Sequence, residues 1–171
     1  VTVGGTATAN FLTKDVDTGK AVLISGLVLS GAVAGNYEIA PTLAATADIT
    51  PATLTIGGLT ANSKVYDATL AATLGGTASV SALGSDAVTV SGTPQALSAD
   101  KNVGTAKAVT VSGLTLSGAD AGNYTLVQPS GLTANVTPAD LLVSGVFANN
   151  KVYDTTTAGT LGGAATVSAL G

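Results

Sequence analysis

The 171 residues include no His, Cys, Met, Trp or Arg, and only 9% are charged, with a formal net charge of −4. That leaves no imidazole or thiol for nucleophilic catalysis or metal ligation, and no cation cluster for nucleic acid, because the six Lys are scattered singly. Gly, Ala, Thr, Ser and Val dominate, a composition suited to short strands and tight turns, and no apolar run approaches the ~18–20 residues of a membrane-spanning helix.

Taken in chain order, residues 1–10 match residues 88–97, so the sequence opens inside a repeat. From Lys20 to Ser30 apolar residues alternate at Val22 and Ile24, then at Leu27 and Leu29, with the parity switching across Ser25-Gly26 as a β-bulge or sheet-switching bend requires. The second copy does the same: Val109 and Val111 precede Ser112-Gly113, and Leu114 and Leu116 follow. Similar bends are expected at Val3-Gly4-Gly5, Ile56-Gly57-Gly58, Val90-Ser91-Gly92 and Val143-Ser144-Gly145. The hexapeptide AVTVSG begins at both Ala87 and Ala108, which suggests that these two strands pair. A G-A-x-A-G-N-Y segment follows each long strand, at Gly31–Tyr37 and Gly118–Tyr124, where Gly and Asn can turn the chain sharply.

Thr-Pro-Ala at 50–52 and 137–139 reads as a short semi-rigid joint, since Pro51 and Pro138 each remove a ladder donor and fix φ. K-V-Y-D follows at 64–67 and 151–154, and from Ala68 to Leu83 the Ala, Thr, Leu and Gly mixture admits a short helical turn. Tyr37 and Tyr124, Tyr66 and Tyr153, and Pro51 and Pro138 are all 87 positions apart, so one unit repeats without a gap. The expected division is residues 1–50 as the later part of a unit, 51–137 as a complete unit, and 138–171 as the front of the next. Period-two apolar patterning and Gly-rich turns predict an all-β fold of tandem antiparallel sandwich units. The core is expected at Val65, Val90, Val109, Val111, Leu114, Leu116, Tyr124 and Leu126, which fall on alternating positions of the best strands.

The motifs K-V-Y-D-x-T-x-A and D-K-N-V-G-T-x-K-A-V-x-V-S-G-L-x-L-S-G-A-D-A-G-N-Y-x-L make the chain resemble the YDG-type repeats of large bacterial adhesins that are similar to filamentous haemagglutinin. The sequence departs from that family at Ala68 and Thr155, where the family often has Gly. The resemblance implies small immunoglobulin-like β-sandwiches strung in tandem as a secreted stalk, on the surface of Gram-negative bacteria or in their biofilm matrix. About seven strands at 8–12 residue spacing per unit are compatible with that sandwich. Asp120 to Tyr124 looks like a tyrosine corner, whose phenol bonds back to upstream backbone; in the first copy Val33 stands where the second has Asp120, so a bond made by that Asp would be lost.

The remaining candidates read as structural. Asp15-Val16-Asp17-Thr18-Gly19 is similar to the start of a calcium loop but lacks the downstream acidic residue, so a solvated turn, with no metal or cofactor, is expected. Asp67 and Asp154 follow Tyr66 and Tyr153 and are read as side-chain caps of the next turn. The four Tyr are read as core or corner residues in preference to sugar platforms, and Lys64 and Lys101 as solvated lysines in preference to isopeptide donors. The expected function is a non-catalytic spacer in a fibre, its partners being adjacent repeats or other copies joined head-to-tail; the alternative is a module that binds exopolysaccharide or itself.

Overall fold

The computed structural model describes residues 1–39 and 44–169; it is all-β, with two single-turn 3-10 segments and no α-helix among the described residues. The strands are β1 (Thr2–Phe11), β2 (Asp17–Ser30), β3 (Ala44–Ile49), β4 (Ala52–Thr55), β5 (Gly57–Asn62), β6 (Lys64–Val65), β7 (Thr73–Ser79), β8 (Thr89–Ser98), β9 (Gly104–Ser117), β10 (Tyr124–Val127), β11 (Leu132–Thr137), β12 (Val143–Ala148) and β13 (Leu161–Val167). The 3-10 turns are Ala34–Asn36 and Ala121–Asn123, again 87 residues apart, and β1 and β2 correspond in the same way to β8 and β9. The short helical turn that the composition of Ala68 to Leu83 admits is not formed. Thr73–Ser79 is a strand instead, and β7 is the hydrogen-bonded neighbour of β5.

The chain divides into two compact units. The first comprises Val1–Gly57, Ala78–Thr93 and Leu114–Gln128. In it β1, β2 and β3 form an antiparallel meander, from Thr2↔Ser30 through Phe11↔Val22 to Leu23↔Ala44. The register slips between Gly5 and Thr8, opposite Ser25-Gly26. The slip has a steric cause, because Gly5 (φ 89°) and Gly26 (φ 82°) face across the bulge. A Cβ on Gly5 would lie 2.3 Å from the Gly26 carbonyl oxygen, and one on Gly26 would lie 2.2 Å from that of Thr6. Only a residue without a side chain permits both the positive φ and that approach. Also in this unit, β4 lies parallel to β10, with Tyr124↔Ala52 and Leu126↔Leu54 in register. Its buried apolar residues are Val22, Leu54, Ile56, Leu114 and Tyr124.

The second unit comprises Gly58–Thr77, Pro94–Gly113 and Pro129–Gly171. The strands that lie wholly within it are β6, β11 and the β12–β13 hairpin, which is antiparallel from Val143↔Val167 to Ala148↔Leu161; the sheet order is β6-β11-β9-β8, and β8, β9 and the β5–β7 pair each have one end in the first unit. β8 and β9, which carry most of the two AVTVSG segments, are neighbours, but the hexapeptides do not face each other: Thr89 of the first meets Ser117, past the end of the second. The buried apolar residues are Val109, Val111, Pro129 and Val136, and Ser98 is the one buried polar residue among those described.

Three expectations need correction. Val65 is 58% exposed, because β6 is a two-residue edge strand whose backbone is used while its side chain faces solvent. Val90, Leu116 and Leu126 are half-buried, whereas Leu54, on a strand too short to show a period, and Ile56, just after it, are among the most buried residues. The sheets are also not wholly antiparallel, since β4/β10 and β6/β11 are parallel pairs. Such pairs need long connections, and the residues between β4 and β10 provide one.

Candidate functional site

The loop between β1 and β2, residues 12–16, meets two other segments of the first unit: residues 83–87 ahead of β8, and residues 120–124 around the second 3-10 turn. Lys14 Nζ donates to Asp86 and, at 3.0 Å, to Asp120 Oδ1. The Val16 backbone N–H donates to Asn123 Oδ1 at 2.9 Å. Tyr124 ties the other two segments together: its phenol oxygen accepts from Leu83 N at 3.0 Å and donates to Asp86 Oδ2 at 2.9 Å. Asp120 Oδ2 accepts from Ala87 N at 2.8 Å. The loop is held from behind by Lys20, which donates to Thr13 Oγ1 at 2.6 Å and to the Asp15 carbonyl.

Each of these positions has a local cause. The 3-10 turn at Ala121–Asn123 ends with extended backbone at Tyr124, so successive residues send Asn123 to the loop and Tyr124 to the core. Gly118, at φ 114°, passes so close to the Ala87 carbonyl that a Cβ would lie 2.2 Å from its oxygen. An apolar cleft of about 350 Å³, lined by Val16, Ile49, Ala52, Leu83 and Tyr124 among others, lies beneath the ion pairs.

The electrostatics follow from the two-to-one charge ratio. Hydrogen bonds from its ammonium to Asp86 and then Asp120 push the Lys14 pKa well above the ordinary lysine value. The Ala87 N–H, and then Lys14, hold Asp120 below the usual carboxylate range. Burial raises the Tyr124 phenol. Condensation of a lysine with a carboxyl group needs a neutral amine and a protonated acid, and these shifts favour the opposite pair of states. The Lys14 side chain is also 64% exposed. The arrangement is an ion-paired clasp over an apolar seat, and because its charges are exposed and screened by solvent each pair stabilises only weakly.

The structure treats the residues singled out in the sequence unequally. Tyr124 is buried and bonded to upstream backbone and to Asp86, while Tyr37, at the corresponding position, is 63% exposed. Tyr66 is half-buried, with its backbone N–H on the Thr137 carbonyl at 2.8 Å, and Tyr153 is 87% exposed. Asp67 Oδ1 gathers Lys64 Nζ (2.7 Å), Thr69 N (3.0 Å) and Thr69 Oγ1 (2.9 Å), and these, the lysine first, lower its pKa to about 2. Asp154 makes the same three contacts with Lys151 and Thr156, and is lowered in the same way. Lys64 is therefore not a solvated lysine, for it also donates to the Thr69 and Ala71 carbonyls at 2.9 and 2.7 Å. Pro51 lies in the two-residue connection between β3 and β4, and Pro138 follows β11; both are exposed. Asp17 caps its own turn through Thr18 N at 2.8 Å, and among the described residues no three acidic side chains gather as metal ligands would.

Sequence reasoning missed Lys14, Asp86 and Asn123. A signal was present for Asn123, which sits in the turn motif, but Lys14 and Asp86 are 72 residues apart and nothing local links them.

The sheets and the 87-residue correspondence of their strands define an all-β protein with an internal sequence repeat. The YDG domain family matches residues 1–45 and 50–131, and the chain belongs to that family. Among curated proteins and among solved structures, none matches it. No helix of the described residues is long and apolar enough to cross a membrane.

Proposed function

We propose that this chain is a non-catalytic spacer: tandem immunoglobulin-like units of 87 residues that form part of a secreted adhesin stalk at a bacterial surface or in a biofilm matrix. The observation that carries the reading is the clasp of Lys14 on Asp86 and Asp120 and of Val16 on Asn123. It joins residues from the 1–50 part to residues from the 51–137 part, on top of a connection only two residues long at Thr50-Pro51. A connection that short, stiffened by Pro and cross-braced by side chains, suits a part whose work is to hold a fixed length.

A glycan array probed with the purified chain tests the reading. A spacer is expected to retain nothing at micromolar concentration. Saturable retention of one glycan class, abolished by Tyr37→Ala or Tyr153→Ala, would replace the spacer with a binding module.

A further inference from the structure

β8 is the outer strand of the sheet β6-β11-β9-β8, and an outer strand offers unpaired N–H and C=O groups to any strand that can reach it. Over Ala96–Ser98 this edge is covered from within the chain. Ser98 N donates to the Leu70 carbonyl at 2.8 Å and Ala72 N to the Ala96 carbonyl at 3.0 Å, on either side of an antiparallel bridge between Ala71 and Leu97. Pro94, two residues before Ala96 and of the same parity, has no N–H to offer there. Burial does little to hold the covering segment, since Leu70 is 45% exposed and Ala71 is exposed. Its backbone is also strained, with Ala68 left-handed at φ 63°. The tie is polar. Lys64 Nζ donates to Asp67 Oδ1 (2.7 Å), to the Thr69 carbonyl (2.9 Å) and hydroxyl (3.2 Å), and to the Ala71 carbonyl (2.7 Å), and its side chain is only 19% exposed. Lys64 itself lies on β6, the opposite outer strand, in register with Val136 of β11, so one side chain links the two edges of the sheet.

We propose that residues 67–72 are a guard strap over the β8 edge, that Lys64 is the pin that holds the strap, and that the partner it keeps off is the same edge of a second copy of this chain. A second copy fits because the groups the strap occupies are self-complementary. In an antiparallel pair of two β8 strands centred on Leu97, Ser98 N of each copy meets the Ala96 carbonyl of the other, and these are the two groups the strap now satisfies. Leu97, 51% exposed, then stands opposite its own counterpart. Such a contact is isologous and adds strand to strand, with the same patch used on both copies. While Lys64 holds the strap down, those groups are taken, and only the open form can pair. The inference rests on strand pairings inside the second unit and not on the spacer role, so a glycan hit would overturn the latter and leave this untouched.

Residue-resolved amide exchange and sedimentation velocity over a concentration series, both on the full chain, test the pin and the guard. Lys64→Met keeps an unbranched side chain and removes the four bonds. The Ala72 and Ser98 amides are then expected to exchange about tenfold faster or more than in the natural chain, while those of Val109 and Val111, in the inner strand β9, keep their rates. Lys151→Met breaks the corresponding bonds to Asp154 and Thr156 and should leave all four amides as they are. Because only the open form pairs, Lys64→Met should also tighten self-association by at least the factor seen in exchange. Lys64→Met/Leu97→Lys, which sets two lysines opposite each other across the pair, should return association to the natural level. Unchanged exchange at Ala72 and Ser98, or equal acceleration at Val109 and Val111, would overturn the pin. Faster strap exchange without tighter association, or association that Leu97→Lys leaves in place, would overturn the self-contact at the β8 edge.

Discussion

Tyr37 and Tyr124 end the same G-A-x-A-G-N-Y motif and follow the same 3-10 turn with the same extended backbone, φ −135° in both, yet one is 63% exposed and the other 8%. Their own local structure cannot account for this. Tyr124 has Leu83, Asp86 and β4 around it, drawn from residues that lie before its long strands. The motif makes the turn, and a segment distant in sequence makes the burial. The largest expected effect therefore lies in this comparison. Tyr124→Ala should cost about 3–5 kcal/mol, as for other buried aromatics, while Tyr37→Ala should stay within about 0.5 kcal/mol. Urea melts followed by far-UV circular dichroism would measure both, and equal losses would mean that the two tyrosines have equivalent surroundings.

Sharper resolution comes from the groups that hold Tyr124. Asp86→Ala removes the acceptor of the phenol and one partner of Lys14, leaving a buried hydroxyl without its acceptor; a loss of about 1–3 kcal/mol is expected. Lys14→Ala removes only the exposed, solvent-screened cation and should cost clearly less than Asp86→Ala. Lys101, 87 positions on, has no ion pair among the described residues, so Lys101→Ala is the matched control and should be silent. If Lys101→Ala costs as much as Lys14→Ala, the clasp is not what the substitution reads.

Much of the architecture was legible before any coordinates, and the reason is local. Parity switches at Ser-Gly and Gly-Gly located the bulges, because a positive φ beside a crossing strand leaves few residue choices. The likeness of the two AVTVSG segments pointed to the right neighbouring strands, β8 and β9, but not to their register, for Thr89 meets Ser117. What stayed hidden was long-range. Nothing in Ala52–Thr55 announces a parallel partner about 70 residues away, so Leu54 and Ile56 were absent from the expected core, and Val65 was placed in it because alternation cannot distinguish an edge strand from a central one. Lys64 looked solvated for the same reason: its acceptors include carbonyls brought round by a turn the sequence does not spell out.

Acid and alkali probe the two regions differently. Asp67, Asp120 and Asp154 are all held below the ordinary aspartate value of 3.8, so they contribute stability that is present above about pH 4 and is lost as pH falls through their lower folded values. Lys14 and Tyr124 are raised above ordinary values of 10.5 and 10.0, so their contribution is complete below about pH 10 and lost as pH climbs beyond it. A stability plateau between these limits is expected. Asp67→Asn should flatten the acid limb, and Lys14→Ala the alkaline one. Identical limbs in the natural chain and both variants would show that other groups govern the profile.

The smallest effect concerns one backbone position seen twice. Ala68 and Thr155 both sit at φ 63°, directly after the aspartate of K-V-Y-D. The hydrogen bonds that Asp67 accepts from Thr69 N and Oγ1, and those that Asp154 accepts from Thr156, close the chain around that residue and hold it left-handed. A left-handed residue with a Cβ costs about 1–2 kcal/mol, and a β-branched one is worse placed there than alanine. Glycine removes that strain but loosens the unfolded chain by about 0.4–1 kcal/mol, so Ala68→Gly should stabilise by a net of roughly 0.5 kcal/mol and Thr155→Gly should relax its turn by more. The two gains should not be equally visible. Ala68 is half-buried, next to the Ala71 bridge to Leu97, so its gain should raise the main melting temperature by about 1–2 °C. Thr155 lies among exposed residues outside any strand, so its gain should appear only as slower amide exchange at Thr156. A main-transition shift from Thr155→Gly as large as that from Ala68→Gly would mean that residues 151–156 share the cooperative core despite their exposure.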